Sequence, residues 1–292
     1  MSETTINQLK QRDPELLVRS ITKVASLPNI FTQLNDAIND PNTTNKDFAN
    51  IINEDTAIAA RLLRITNSAL YNFPSKVETI THAITIIGTN QLRDLVLASS
   101  VIAMFKNVPE DIITMESFWR HSVACGITAR AIASQRREAN IERFFVAGLL
   151  HDIGRLVLFM EMPDYMQAVF QLREEEHSLL YKHEKEIIGF DHAKLGGLLL
   201  KAWQLPARLI EGVALHHAPT RAVQYPVEAA IVHSADVIAN AMQLGSSGEM
   251  YVPPLNPKAW EIIDLPESAI ESIFEKVTQQ YSDAVKFILG DS

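Results

Sequence analysis

The sequence predicts an all-α protein, a multi-helix bundle in two packed lobes. Three observations predict it. Apolar residues recur at spacings of three and four, the period of a helix face, rather than alternating as in a strand. Hydrophobic residues make up 47% of the chain but aromatics only 7%, so the core must be mostly Leu, Ile, Val and Ala, which suits helix packing. Polar stretches rich in Pro, Gly and Asn punctuate the periodic runs. At 292 residues the chain is long enough for one large domain or two smaller ones.

The elements follow in order. Residues 5–26 read as an amphipathic helix entered or interrupted at Pro14 and ended by Pro28. A helix near 30–38 precedes the polar turn NDPNTTNKD at 39–47. Residues 47–53 and 56–71 form two more helices, the second placing Ile58, Leu62, Ile65 and Leu70 near one face. Asn72, Pro74 and Ser75 break it. The stretches 78–88 and 90–105 are a pair hinged at Gly88-Thr89-Asn90. KNVPEDIITM at 106–115 is the best internal boundary, dividing an N-terminal lobe, 1–115, from a second, 116–292. The second lobe is predicted to hold helices at 117–137, 141–160, 164–176, 178–188, 191–204, 206–217 and 226–243. The turn-rich LGSSGEMYVPPLNP at 244–257 leads to a last pair, 257–263 and 266–289. Pro266 and Glu267 suit a first helical turn.

Composition excludes some function classes. The formal net charge is -9, whereas nonspecific nucleic-acid binding needs a basic face that displaces counterions. Direct nucleic-acid binding is therefore not expected. A small anionic ligand held by a metal or by a few Arg and Lys remains open. Cys125 is the single cysteine, so neither an intramolecular disulfide nor a thiolate cluster is available, and it reads as a small buried apolar residue. The N-terminus lacks the apolar core of a secretory signal, and no run of about 18 uncharged apolar residues reads as a membrane span. The expected location is the cytoplasm.

Several of the nine histidines stand on otherwise apolar helical segments, where a polar side chain is expensive unless satisfied. His121 lies in FWRHSVACG, His151 and Asp152 in AGLLHDIGRLVL, and His192 in DHAKLGG. His216 and His217 end LIEGVALHH, and Asp236 lies in AAIVHSADVIA. Imidazole nitrogen and carboxylate oxygen together suit iron, manganese or zinc. His216 and His217 are adjacent, so both can serve one site only at a helix end, which Pro219 makes available. Arg155, one turn after His151, could reach an anion bound there, with a surface salt bridge as its other reading. His233 shares a helix face with Asp236, and its plainer reading is a core or surface histidine. Solvated helix faces account for His177 and His183, and His82 is read as structural. Glu184 and Glu186 could orient a ligand histidine.

These segments, in this order, resemble the HDOD family, the HD-related output domains within the HD superfamily of metal-dependent phosphohydrolases. The resemblance covers roughly 20–240. It is carried by LPNIFTQL, IINEDTAIAARLLRITNSALY, ITHAITIIGTNQLRDLVLAS, FWRHS, AGLLHDIGRLVL and GFDHAKLGGLLLKAWQLP. It implies an HD-like bundle working as a signal-transduction module. It also implies signalling proteins as partners, and a divalent metal, iron or manganese, as one or two ions. The series is also similar to the HD-GYP cyclic-dinucleotide phosphodiesterases. That likeness would set His121, His151, Asp152 and Asp236 around one metal. His192, His216 and His217 would hold a second, with Asp152 bridging. The chain departs from that pattern at 218–226, where Gln224 stands at the glycine position and the acidic-glycine turn is absent. Two functions follow as expectations. One is a regulatory module whose metal site binds a phosphate-containing ligand. The other is an active phosphohydrolase using a metal-activated water, with Asp152 at its centre. No receiver or cyclase domain is recognisable, so input is expected from a separate protein or a small ligand.

Overall fold

Side-chain caps set where many of the helices begin. Thr44 and Asp47 form a reciprocal capping box at the start of one helix, and Asp55 accepts from Ala57 and Ile58 at the start of the next. Thr79, Thr114, Asp191 and Asn256 cap four more. Each satisfies a backbone N–H that the helix leaves without a partner. The computed structural model describes residues 13–24, 27–105, 108 and 113–289, and no strand occurs among them. The all-α expectation holds.

The N-terminal half contains α1 (Pro14–Val24), α2 (Asn29–Asn39), α3 (Asn45–Asn53), α4 (Thr56–Thr66), α5 (Ile80–Ile87) and α6 (Thr89–Met104). Then come α7 (Met115–Gln135), α8 (Glu142–Leu150), α9 (Ile153–Glu161), α10 (Pro163–Glu176), α11 (Leu180–Ile187) and α12 (His192–Ala202). The chain ends with α13 (Ala207–Ala214), a short 3-10 turn at Pro219–Arg221, α14 (Pro226–Ala241), α15 (Pro257–Ile263) and α16 (Ala269–Leu289). Of the 5–26 helix, residues 5–12 lie outside the described residues. So does most of 106–115, the expected boundary.

Buried apolar side chains from Leu17 to Ile288 form one connected core. Its centre is α7, whose residues are buried on nearly every face and which packs against α8, α14 and α16. Glycines bring its neighbours close. A Cβ on Gly148 would lie 2.6 Å from the Cys125 carbonyl oxygen, so α8 touches α7 backbone to backbone. A Cβ on Gly154 would land on the His192 carbonyl oxygen, so α9 and α12 meet in the same way. No helix of the described residues is long and apolar enough to cross a membrane.

Four boundaries differ from expectation, and in one of them the last helix begins at Ala269 rather than 266, so Pro266 and Glu267 precede its first turn. The helix expected at 141–160 is two, α8 and α9, with His151 and Asp152 at the joint. Apolar periodicity runs through this joint, so tertiary packing makes the break, not local sequence. The 56–71 helix stops at Thr66, where Asn67 turns its amide onto the backbone of Leu63 and Val77. The 206–217 helix stops at Ala214, which leaves His216 and His217 in the turn beyond it.

Candidate metal centre

Five histidines and two aspartates converge where α7, α8, α12, α13 and α14 meet. His121, His151, His192 and His216 are fully buried, Asp152 and Asp236 nearly so, and His217 is partly exposed. All seven expected ligands therefore fall in one place, His121 and Asp236 from within α7 and α14 and the other five from helix ends and the turns beside them.

Two of the rings have a fixed orientation. His151 Nδ1 donates to the Gly148 carbonyl at 2.7 Å, and His216 Nδ1 to the Val213 carbonyl at 2.7 Å. A donor bond at Nδ1 leaves Nε2 as the inward-facing atom. Both of these Nε2 atoms are buried without a hydrogen-bond partner. His151 Nε2 lies 3.2 Å from Asp152 Oδ2 and 3.5 Å from Asp236 Oδ1, without hydrogen-bond alignment. His121 Nε2 lies 3.2 Å from Asp236 Oδ1, which also accepts from Asn240 Nδ2 at 2.7 Å. Buried nitrogens left unpaired beside carboxylates are costly in a core and are the chemistry of a cation site. The donor set fits a divalent metal.

The other half of the cluster is arranged differently. His192 Nε2 is 2.7 Å from Asp152 Oδ1, and its Nδ1 is 2.6 Å from Glu184 Oε2. His217 Nε2 lies 3.0 Å from His192 Nε2, and its ring stacks on Tyr181 at 4.0 Å. Arg155 is buried rather than at the surface. Its guanidinium bonds Asp152 Oδ2 at 3.0 Å and Glu184 Oε1 at 3.3 Å, and its NH2 lies 3.0 Å from His192 Nδ1. It also donates to the Ser247 carbonyl at 3.1 Å. The loop after α14 thus closes over the site.

Electrostatics follow the packing. Burial pushes the His151 imidazole down, but the Asp152 and Asp236 carboxylates beside it carry it up to about 10. Burial opposes charge on Asp152, yet Arg155, His151 and His192 hold it well below the usual carboxylate range. His121 and His151 do the same for Asp236. His192 loses to burial and Arg155 but gains more from Glu184 and Asp152, ending at about 9. Burial and the neighbouring rings drive His216 down to about 3 and His217 well below its ordinary value. In the metal-free protein, protons on His151 and His192 supply charge that an ion could replace.

Some residues depart from their sequence reading. Cys125, one turn after His121, is buried among Ala124 and Ala239 as expected, and its Sγ also lies 3.5 Å from His121 Nε2, at the cluster. The signal was present as an i, i+4 pair on one helix. His183 is buried against Ser178 Oγ at 2.6 Å, not solvated, whereas His177 and His82 are exposed. Of the two glutamates, Glu184 orients His192, while Glu186 faces solvent. His233 accepts from the Asn256 N–H and donates to the His216 carbonyl at 2.8 Å, so it fixes the turn that carries His216. Ser247 gave no sequence signal, because its role depends on where the loop lands.

Beside His217 opens a cavity of about 540 Å³ lined by Lys185, Lys194, Lys201, Arg221, Phe190 and Asp191. Four cations against one carboxylate make this a positive spot on an acidic chain.

The sequence model of the HDOD domain family matches residues 24–219. A solved HDOD domain protein of unknown function from Geobacter sulfurreducens is 23% identical and superposes with a TM-score of 0.78, over 94% of this chain and 98% of that one. A solved protein named as a candidate phosphohydrolase, from Shewanella amazonensis SB2B, is 25% identical with a TM-score of 0.70, over 94% of this chain and 97% of that one. An uncharacterized protein of Treponema pallidum (strain Nichols) is 22% identical over 198 residues, 68% of this chain. The match spans only 38% of that curated relative's length.

Proposed function

The chain belongs to the HDOD family, and from that premise we propose that it is a signalling module whose buried metal site binds a phosphate-containing ligand and reports it to a partner protein. One observation carries the reading. His121, His151 and Asp236, with Asp152 and His216 beside them, bring donor atoms together in a buried core, and three ring nitrogens of these histidines, His121 Nδ1, His151 Nε2 and His216 Nε2, lack a hydrogen-bond partner. Burying so many charged groups is unfavourable unless something pairs them. A divalent ion is the simplest such group.

The basic cavity beside His217 supports the ligand class. Lys194, Lys201 and Arg221 offer donors suited to phosphate oxygens, while Phe190 and neighbouring aliphatic side chains cover an apolar body. Elemental analysis of protein purified without chelator tests the metal. A bound divalent ion is expected, and protein that neither holds nor takes up one would sink this part of the reading. A binding screen of phosphate compounds tests the ligand. Charge reversal at Lys201 and Arg221 should weaken any hit at least tenfold at low salt, and a hit indifferent to both changes binds elsewhere.

A second reading is a metal-dependent phosphohydrolase, favoured by the completeness of the seven-residue series. A bound ion would supply an activated water and polarise phosphorus. Asp152 would be among the residues that hold that ion, and the cavity cations would hold the ester. Hydrolysis of a phosphate ester by loaded protein, lost on Asp152→Ala, would decide for this reading. Silence across a phosphodiesterase panel would leave the module reading in place.

A further inference from the structure

We infer that the chain holds one metal ion rather than two, with Cys125 as a ligand beside His121, His151 and Asp236, and with Arg155 fixed where a second ion would need its carboxylates. The inference rests on the metal reading above and goes beyond it.

His121 Nε2 is 3.2 Å from Asp236 Oδ1 and 3.5 Å from Cys125 Sγ, and His151 Nε2 is 3.5 Å from Asp236 Oδ1. The four ligand atoms lie within 4.8 Å of one another. Ligands about 2.0–2.3 Å from a tetrahedral ion stand about 3.3–3.7 Å apart, the spacing of the pairs just given. The independent sign is His151 Nε2, fully buried, without a hydrogen-bond partner and facing the same point. Cys125 Sγ is equally buried, within hydrogen-bonding range of His121 Nε2 and close to the Asp236 and His151 ligand atoms.

Across the cluster Asp152 and His192 are already engaged, and His216 Nε2 is the donor left unpaired there. Asp152 Oδ2 accepts from Arg155, and Asp152 Oδ1 meets His192 Nε2 at 2.7 Å. The other ring nitrogen of His192 meets Glu184 at 2.6 Å. The guanidinium lies 3.0 and 3.2 Å from the two nitrogens of that ring, so the space beside it holds a permanent positive charge. A divalent ion bridging Asp152 Oδ1 to His192 would sit against that charge, with Arg155 already holding the other oxygen of the same carboxylate. Ser247 and Glu184 hold Arg155 in place, so it does not swing aside easily.

The thiolate changes the expected metal. Sulfur favours zinc or iron over manganese.

Cobalt(II) is the probe, titrated into the metal-depleted full chain. Expected are an endpoint at one equivalent and a near-ultraviolet thiolate-to-cobalt absorption. In Cys125→Ser that absorption should vanish and affinity fall at least tenfold. Two tight equivalents would overturn the single-ion claim and leave the metal reading standing. One equivalent without thiolate absorption would overturn the cysteine and leave the ion on histidine and aspartate ligands alone. No uptake would overturn both this inference and the metal reading. Elemental analysis of the loaded wild type gives the same count without any variant.

Discussion

Glu184 holds His192 twice, its Oε2 lying 2.8 Å from the backbone nitrogen and 2.6 Å from ring Nδ1. Its other oxygen accepts from Arg155 at 3.3 Å. Glu184→Ala would leave a buried guanidinium and a buried imidazole short of a carboxylate. Breaking such a pair costs about 3–5 kcal/mol, and Glu184→Gln, which keeps the acceptor oxygen, should cost less. Urea denaturation of the metal-free protein measures both. Wild-type stability in the alanine variant would show that the contact has no structural role.

The pH dependence of the metal-free fold follows from His151. Its value is raised from 6.5 to about 10, so its protonation stabilises the fold fully below pH 6.5, and that contribution is lost as pH rises through about 10. Asp152 and Asp236 are held low, so their contributions are present above 3.8 and lost as pH falls. Metal binding runs opposite to His151, because an ion displaces its Nε2 proton. Apparent affinity should climb about tenfold per pH unit for each proton released. Calorimetry in buffers of different ionisation enthalpy counts those protons, and zero release would contradict a charged His151.

Asp236→Asn should abolish tight metal binding and remove the stability that the ionised carboxylate gives the metal-free fold. The amide keeps an oxygen for Asn240 but loses the charge that faces His121 and His151. The loss should exceed the roughly 10–100-fold typical of changes to outer-shell groups. Metal content after gel filtration checks it, together with loss of any metal-dependent rise in melting temperature. Retention of the ion would move the site away from Asp236.

Gly154→Ala should destabilise without touching a charged group. Its Cβ would meet His192 O and the Gly196 nitrogen, both backbone atoms that cannot rotate away. Overpacking of this kind costs about 1–3 kcal/mol, sometimes more. The shift should also weaken metal binding if His192 moves. An unchanged denaturation midpoint would mean that α9 and α12 are less tightly apposed than described.

Much of this was legible in the sequence because helical periodicity and polar breaks are local signals. The ends of α3, α5 and α15 fell within two residues of expectation for that reason. The seven residues that cluster at the candidate site were legible as polar side chains in apolar runs. Their partners were less so. The break at His151-Asp152 lies in an unbroken apolar pattern and follows from α9 docking on α12. His183 sits in a charged run, where composition says solvent, yet the chain folds Ser178 over it. Ser247 meets Arg155 across 92 residues, a contact no window of sequence can register.

The loop that carries Ser247 has a kinetic consequence. Four of the site histidines are sealed, with Ser247 and Gly248 tied to Arg155 and Arg173 across the opening. An ion that leaves by way of this cover exchanges as fast as the cover unlatches, through local opening rather than through the strength of the bonds beneath it. A chelator would therefore strip the centre at a rate independent of chelator concentration once opening is limiting. Cutting the Ser247 latch would shorten the residence time without altering a single donor.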